Sequence, residues 1–341
     1  MESEVELEDK AIEAVQSIGI TAGASTPNWI IKRVYRAVEA MPYKKGRGRG
    51  RFFFAIQRAL LLTNIYVAFG AGCLCYACTR LLEINNYLPY VLISILYVQS
   101  MHILNNLIGR KADRYNDPDR GEFYEDHRIF LSVLAISSGA AGLITAFIMG
   151  RISFLIILAM SLMGLSYNLK LVPVCFSILK YRKIRDIPGS KTILIAAAWG
   201  VVTALFPSLS FSGSCGLDSI IVFLWSAGMV LARTAFFEIL DMQGDRIVGR
   251  ETIPIILGEK TALRFLKFVL AGIFLLLLLP STFGIVSGIG LVLCLCPVFL
   301  FLILIAHERG YMLPGIRLEF LVESLFVLTG LIALAWANFV R

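Results

Sequence analysis

Apolar runs of about twenty residues recur along this chain, and that recurrence limits its fold more than any other feature. Crossing the hydrocarbon of a bilayer takes about 20 predominantly apolar residues in a helix. Within lipid, only a helix or a closed barrel satisfies its own backbone hydrogen bonds. Nine runs qualify or come close: roughly residues 59–80, 88–108, 129–149, 152–168, 192–209, 218–238, 264–280, 284–306 and 320–339. With 57% hydrophobic and 16% charged residues, the chain has no composition for a water-soluble domain. The expectation is an all-α, multi-pass membrane protein, a bundle of about nine transmembrane helices spanning 59–341, preceded by a polar extension over 1–58.

The basic residues test this count. Of 32 Lys and Arg, 28 lie in residues 1–58, 109–128, 169–191, 239–267 and 307–319, on alternate gaps between runs. By the positive-inside bias, the N-terminus is cytoplasmic and the C-terminus outside, as in a bacterial or archaeal cell membrane. The net charge of +8 is then mostly topology and calls for no nucleic acid. The run Lys44-Lys45-Gly-Arg47-Gly-Arg49-Gly-Arg51 suits anionic membrane lipid as well as orientation. The first 20 residues are acidic and lack the apolar core of a cleavable signal. The seven Cys follow no metal or disulfide spacing. Cys73, Cys75 and Cys78 fall within one span, where i, i+2 and i+5 cannot aim at one ion.

Carboxylates concentrate at two places where an apolar run gives way to a charged loop. The first is Asn106-x6-Asp113-x3-Asp117, and the second is Asp241-Met-Gln-Gly-Asp245. Continued as helix, residues 106, 113 and 117 share one face, as do 241 and 245. Two carboxylate pairs at one level suit Mg²⁺, which is commonly held by one or two carboxylates plus substrate phosphates. Asp113, Asp117, Asp241 and Asp245 are therefore the candidate metal ligands and catalytic residues. The basic side chains of the loop between the two acidic ones, and Arg246 directly after Asp245, suit the remaining phosphate charge. Arg233, inside a span and eight residues before Asp241, either contacts the substrate or pairs with Glu238. His102 either faces an acceptor or packs between helices.

The stretch from Arg233 through Asp241-Met-Gln-Gly-Asp245-Arg246-x2-Gly249-Arg250-Glu251-Thr252-Ile253-Pro254 to Leu257-Gly258 resembles the second aspartate motif of the UbiA superfamily of intramembrane prenyltransferases. Tyr167 and the segment Lys170 to Lys191 resemble that family's middle loop, in which a Tyr and a Lys contact the diphosphate. The first stretch departs from the family's Asn-x3-Asp-x3-Asp: its acidic pair stands three residues further on. Tyr167-x2-Lys170 is one residue shorter than the family's spacing.

The resemblance implies nine helices around a central cavity, with Mg²⁺ bridging a polyprenyl diphosphate at its mouth. Asn106, Tyr167, Lys170, Lys191, Arg233 and Arg246 would bind the diphosphate. The allylic cation formed on ionisation would alkylate an acceptor, expected to be an aromatic, 4-hydroxybenzoate-like precursor of quinone biosynthesis. Lipid, tetrapyrrole and phosphoribose acceptors stay open. An ion-coupled transporter would explain an intramembrane Arg, but not two Asp pairs at helix ends.

Overall fold

The computed structural model describes residues 48–108, 117–166, 189–247, 252–311 and 315–339, together with Ile30 and Val34. Among them every regular element is a helix. In chain order these are α1 (Gly48–Leu62), α2 (Ile65–Leu81), α3 (Leu88–Ile108), α4 (Pro118–Asp126), α5 (Arg128–Met149) and α6 (Arg151–Ser166). They continue with α7 (Ser190–Ser212), α8 (Leu217–Leu240), α9 (Met242–Ile247), α10 (Ile253–Leu257), α11 (Glu259–Thr282), α12 (Ile289–Glu308) and α13 (Gly315–Phe339).

Each of the nine expected spans coincides with a helix, though among the described residues not every one is long enough for a full crossing. Seven described helices are long and apolar enough to cross a membrane, or eight if α1 and α2 count as one bent span. The described part of α6 is 16 residues long, below the length of a full crossing. The expected span at 59–80 is also broken. Residues 52–62 and 65–81 meet at 72°, because Thr63 Oγ1 bonds back to the Ala59 carbonyl at 2.7 Å and Asn64 takes a left-handed backbone, φ 57°. Asn is one of the few residues that tolerate that conformation. The helix α1 runs across position 58, the expected edge of the membrane domain.

In space α2 packs on α13, α13 on α12, α12 on α11, α11 on α8, and α8 on α7, which returns to α2. The helix α3 lies against α2 and α7 and carries α5 and α6. In the middle of α7, Val201–Leu205 forms a π-helical turn in which Phe206 N–H reaches the Val201 carbonyl. Pro207 follows directly, and a proline supplies no N–H and crowds the carbonyl four residues back. The loosened turn keeps a polar contact: Thr203 Oγ1 bonds the Trp199 carbonyl and Ser226 Oγ, both at 2.7 Å.

Without a hydrophobic drive between helices in lipid, close approach depends on small residues. Gly330 of α13 shows this against α2: a Cβ there would stand 2.6 Å from Cys73 Cβ and 3.0 Å from Cys73 Cα. A backbone atom cannot move aside as a side chain can. Gly330→Ala is expected to cost about 1–3 kcal/mol, seen as a lower melting temperature in detergent. Gly272→Ala, with nothing within 4 Å of its Cβ, is the control and should lose nothing.

Two sets of contacts separate the ends of the bundle. One end joins Ser287 N–H to the Leu81 carbonyl at 3.2 Å, Ser208 to Ser219 at 2.6 Å and Ser153 to Ser210 at 2.9 Å. The other gathers Asn64, Asn106, Arg120, Thr192, Glu238 and Glu319 through direct side-chain contacts. Both acidic stretches belong to this second end.

Candidate active site

The second acidic stretch is local helix. Asp241 caps α8, and Asp245 N–H donates to the Asp241 carbonyl at 3.0 Å, so the two carboxylates stand one turn apart on one face, as the spacing indicates. Asp245 is buried and Asp241 half-buried. Arg246 is exposed. Asp241 stands at the C-terminal end of α8, and Asp245 lies in the first turn of α9, where the helix dipole favours a carboxylate.

The first stretch is arranged differently from the expectation of one continuous face. The helix α3 is described to Ile108 and α4 begins at Pro118, with Asp117 as its cap in an extended conformation (φ −139°, ψ 81°). The residue before a proline is driven out of the helical region, so Asp117 cannot lie on a helix shared with Asn106. Its carboxylate accepts from Arg120 N–H at 3.3 Å and lies 3.5 Å from Arg120 Nε. Asp113 lies outside the described residues, as do Tyr167 and Lys170.

Arg120 ties this segment to the last helix. Its Nη2 donates to Glu319 Oε1 of α13 at 2.5 Å. Burial alone would lower the pKa of the guanidinium, but Glu319 and Asp117 beside it raise it overall. On the same short helix, the Tyr124 hydroxyl accepts from Asn64 Nδ2 at 2.5 Å and from Asn106 Nδ2 at 3.2 Å. Burial raises the pKa of that phenol, against Asn106, Arg120 and Asn64, which lower it. A neutral Tyr124 therefore joins the bend at Asn64 to the end of α3.

Arg233 does not pair with Glu238. It is buried, and its Nη2 donates to Glu323 Oε1 of α13, ninety positions away in sequence. Its guanidinium lies over the Phe237 ring, 5.1 Å from the centroid. Glu238 instead accepts from Thr192 Oγ1, at the start of α7 beside the exposed Lys191. The local pair fails because i and i+5 are separated by about 500° of turn, which puts Glu238 away from Arg233. The sequence reading therefore missed Glu323, Glu319 and Tyr124. The apolar run of α13 carries two acids one turn apart, Glu319 and Glu323, and that was the available signal.

His102 Nε2 accepts from Trp199 Nε1–H at 3.3 Å, with the rings edge to face and Trp199 against Phe326. Among the described residues, three buried polar atoms lack a hydrogen-bond partner about two turns from Asp241 or on the helix facing it: Arg233 Nε, Thr234 Oγ1 and Glu323 Oε2. Such atoms are costly to leave unmade.

Comparison with known proteins gives a consistent picture. The family model described as UbiA prenyltransferase family matches residues 65–310. A model described as LytB protein matches residues 1–39, of which only Ile30 and Val34 are described. Digeranylgeranylglyceryl phosphate synthase of Halobacterium salinarum is 25% identical over 219 residues, 62% of this chain and 71% of the relative. The apo structure of a UbiA homolog from Aeropyrum pernix K1 superposes with a TM-score of 0.60 at 16% identity, over 79% of this chain and 98% of that one. A UbiA homolog from Archaeoglobus fulgidus bound to GPP and Mg²⁺ gives 0.51 at 16% identity, over 82% and 98%. At that identity the two structures establish the fold alone.

Proposed function

Since the chain belongs to the UbiA prenyltransferase family, we propose that it transfers a polyprenyl group from its diphosphate to a glyceryl phosphate lipid, with Mg²⁺ at the Asp241–Asp245 turn. The single observation that carries the reading is that turn: two carboxylates one turn apart on one helical face, at the junction of α8 and α9.

The residues fit the metal. Asp241 and Asp245 offer only oxygen, and one or two carboxylates plus substrate phosphates is the usual Mg²⁺ arrangement. Among the described residues no three His, Cys, Asp or Glu side chains gather to hold an ion without the substrate. Asp113 and Asp117 of the first stretch would supply the second pair. Mg²⁺, when bound, neutralises charge on the leaving diphosphate.

The chain's own residues do the rest. Arg246, Lys191, Lys170 and Arg233 contribute cationic donors to the phosphate oxygens, with Asn106 and Tyr167 as neutral ones. Trp199 and Phe326 are buried against one another, and apolar walls of that kind favour capture of an allylic cation by the acceptor over water. By the positive-inside bias this end of the bundle faces the cytoplasm.

The glyceryl phosphate acceptor is supported by the similarity to digeranylgeranylglyceryl phosphate synthase. An aromatic acid, the acceptor first implied by the family resemblance, is the second reading. The test supplies the purified protein in nanodiscs with a prenyl diphosphate and either a prenylglyceryl phosphate or 4-hydroxybenzoate, and follows products by mass spectrometry. Product with the lipid alone supports the proposal, and product with the aromatic acid alone replaces the acceptor. Excess EDTA is expected to stop either reaction and added Mg²⁺ to restore it. Full turnover in EDTA would remove the metal from the mechanism.

A further inference from the structure

Whichever acceptor is alkylated, it loses a proton, and the site described so far names no group to receive it. A lipid hydroxyl gives up its O–H hydrogen and an aromatic ring the hydrogen at the substituted carbon. Aspartates committed to a metal are poor recipients, and the buried Trp199 and Phe326 further into the bundle offer no base.

We propose that Glu323 is the proton acceptor of the transfer step. Its side chain is 1% exposed, and its two oxygens differ in use: Oε1 is held by Arg233 Nη2, while Oε2 is buried and without a hydrogen-bond partner among the described residues. An acceptor O–H is the kind of donor that oxygen lacks. Arg233, which fixes the carboxylate, lies eight residues before Asp241, about 12 Å along α8. Glu323 is thus set on the interior side of the metal-binding turn, where the prenyl end of a diphosphate ester would lie. The other base at this level, His102, has its Nε2 occupied by the Trp199 N–H. Glu323 also lies beyond residues 65–310, the stretch that the family model matches.

The step balances. The electron pair of the allylic C–O bond leaves with diphosphate. The acceptor supplies the pair for the new bond to the prenyl carbon. Its proton passes to Glu323 Oε2. The alkylated acceptor is a strong acid until it loses that proton, so a carboxylate suffices as base even with Arg233 beside it. The other charged and titratable groups around Glu323 are Glu319, Arg120 and Tyr66. Tyr66 is engaged with Ser324 at 2.7 Å, and Arg120 with Glu319 at 2.5 Å.

This inference rests on the prenyl-transfer reading, and one experiment separates their failures. Diphosphate release, transfer product and free prenyl alcohol are quantified together in nanodiscs with donor and acceptor, beside the melting temperature. Wild-type protein that releases no diphosphate from any prenyl diphosphate overturns the function itself. Given an active wild type, Glu323→Gln is expected to keep ionising the donor while transfer product falls by about a hundredfold, with the prenyl group recovered as the alcohol. Product and release that fall together, or a Gln variant that transfers normally, overturn the role of Glu323. Should Glu323→Gln fail to fold for want of charge opposite Arg233, Glu323→Asp keeps that charge and draws the carboxylate back by one methylene. It should divert a measurable share of donor to alcohol, and a wild-type ratio in that variant overturns the proposal.

Discussion

Asp241→Ala and Asp245→Ala are each expected to lower prenyl transfer by about a thousandfold while leaving folded protein in the membrane. A metal ion at a phosphoryl leaving group contributes several kcal/mol of charge stabilisation, and each 1.36 kcal/mol is tenfold in rate. The fold should survive because Asp241 caps the end of α8 and Asp245 sits on a six-residue helix, both outside the long packed spans. Asp117→Ala is a different case. Its carboxylate caps α4 and touches Arg120, so the variant should also loosen residues 118–126, read as faster hydrogen exchange there. Wild-type rates in Asp241→Ala would dismiss the second stretch as the metal site. Wild-type rates in Asp117→Ala with faster exchange would leave that residue a purely structural cap.

The second large effect concerns stability. Arg233→Ala and Glu323→Ala each leave an uncompensated charge within the bundle, where breaking a buried pair typically costs about 3–5 kcal/mol. Because the two residues share one contact, the double variant should lose clearly less than the sum of the singles. Denaturation in detergent, measured on all three, checks this. Strict additivity would mean that the pair is not coupled. Glu238→Gln should not rescue Arg233→Ala, since Glu238 is engaged by Thr192 instead.

How far the sequence could be read differs from element to element. The membrane helices were legible because length and apolarity answer to one physical demand, the thickness of the hydrocarbon. Asp241 and Asp245 were legible because their relation is carried by four residues of continuous helix. The first stretch was read through a helix that Pro118 interrupts, although an Asp directly before a Pro is itself a helix-start signal. The bend at Asn64 turns on one residue's left-handed backbone and on a hydroxyl sixty positions away. The partner of Arg233 was beyond reach for the same reason. Glu323 meets it only because α13 packs beside the rest of the ring, and no periodicity reports that.

The wide turn at Val201–Leu205 has a consequence for descent. It amounts to one residue more than an α-helix of the same span would hold, so the two halves of α7 are phased by an insertion. Removing one residue there would restore regular winding only by rotating one half by about 100° against the other. Thr192 and Trp199 would swing away from Glu238 and His102, or Ser208 away from Ser219. Lineages that carry this turn are therefore locked to its length, and a homologue lacking the residue should show compensating changes in both halves.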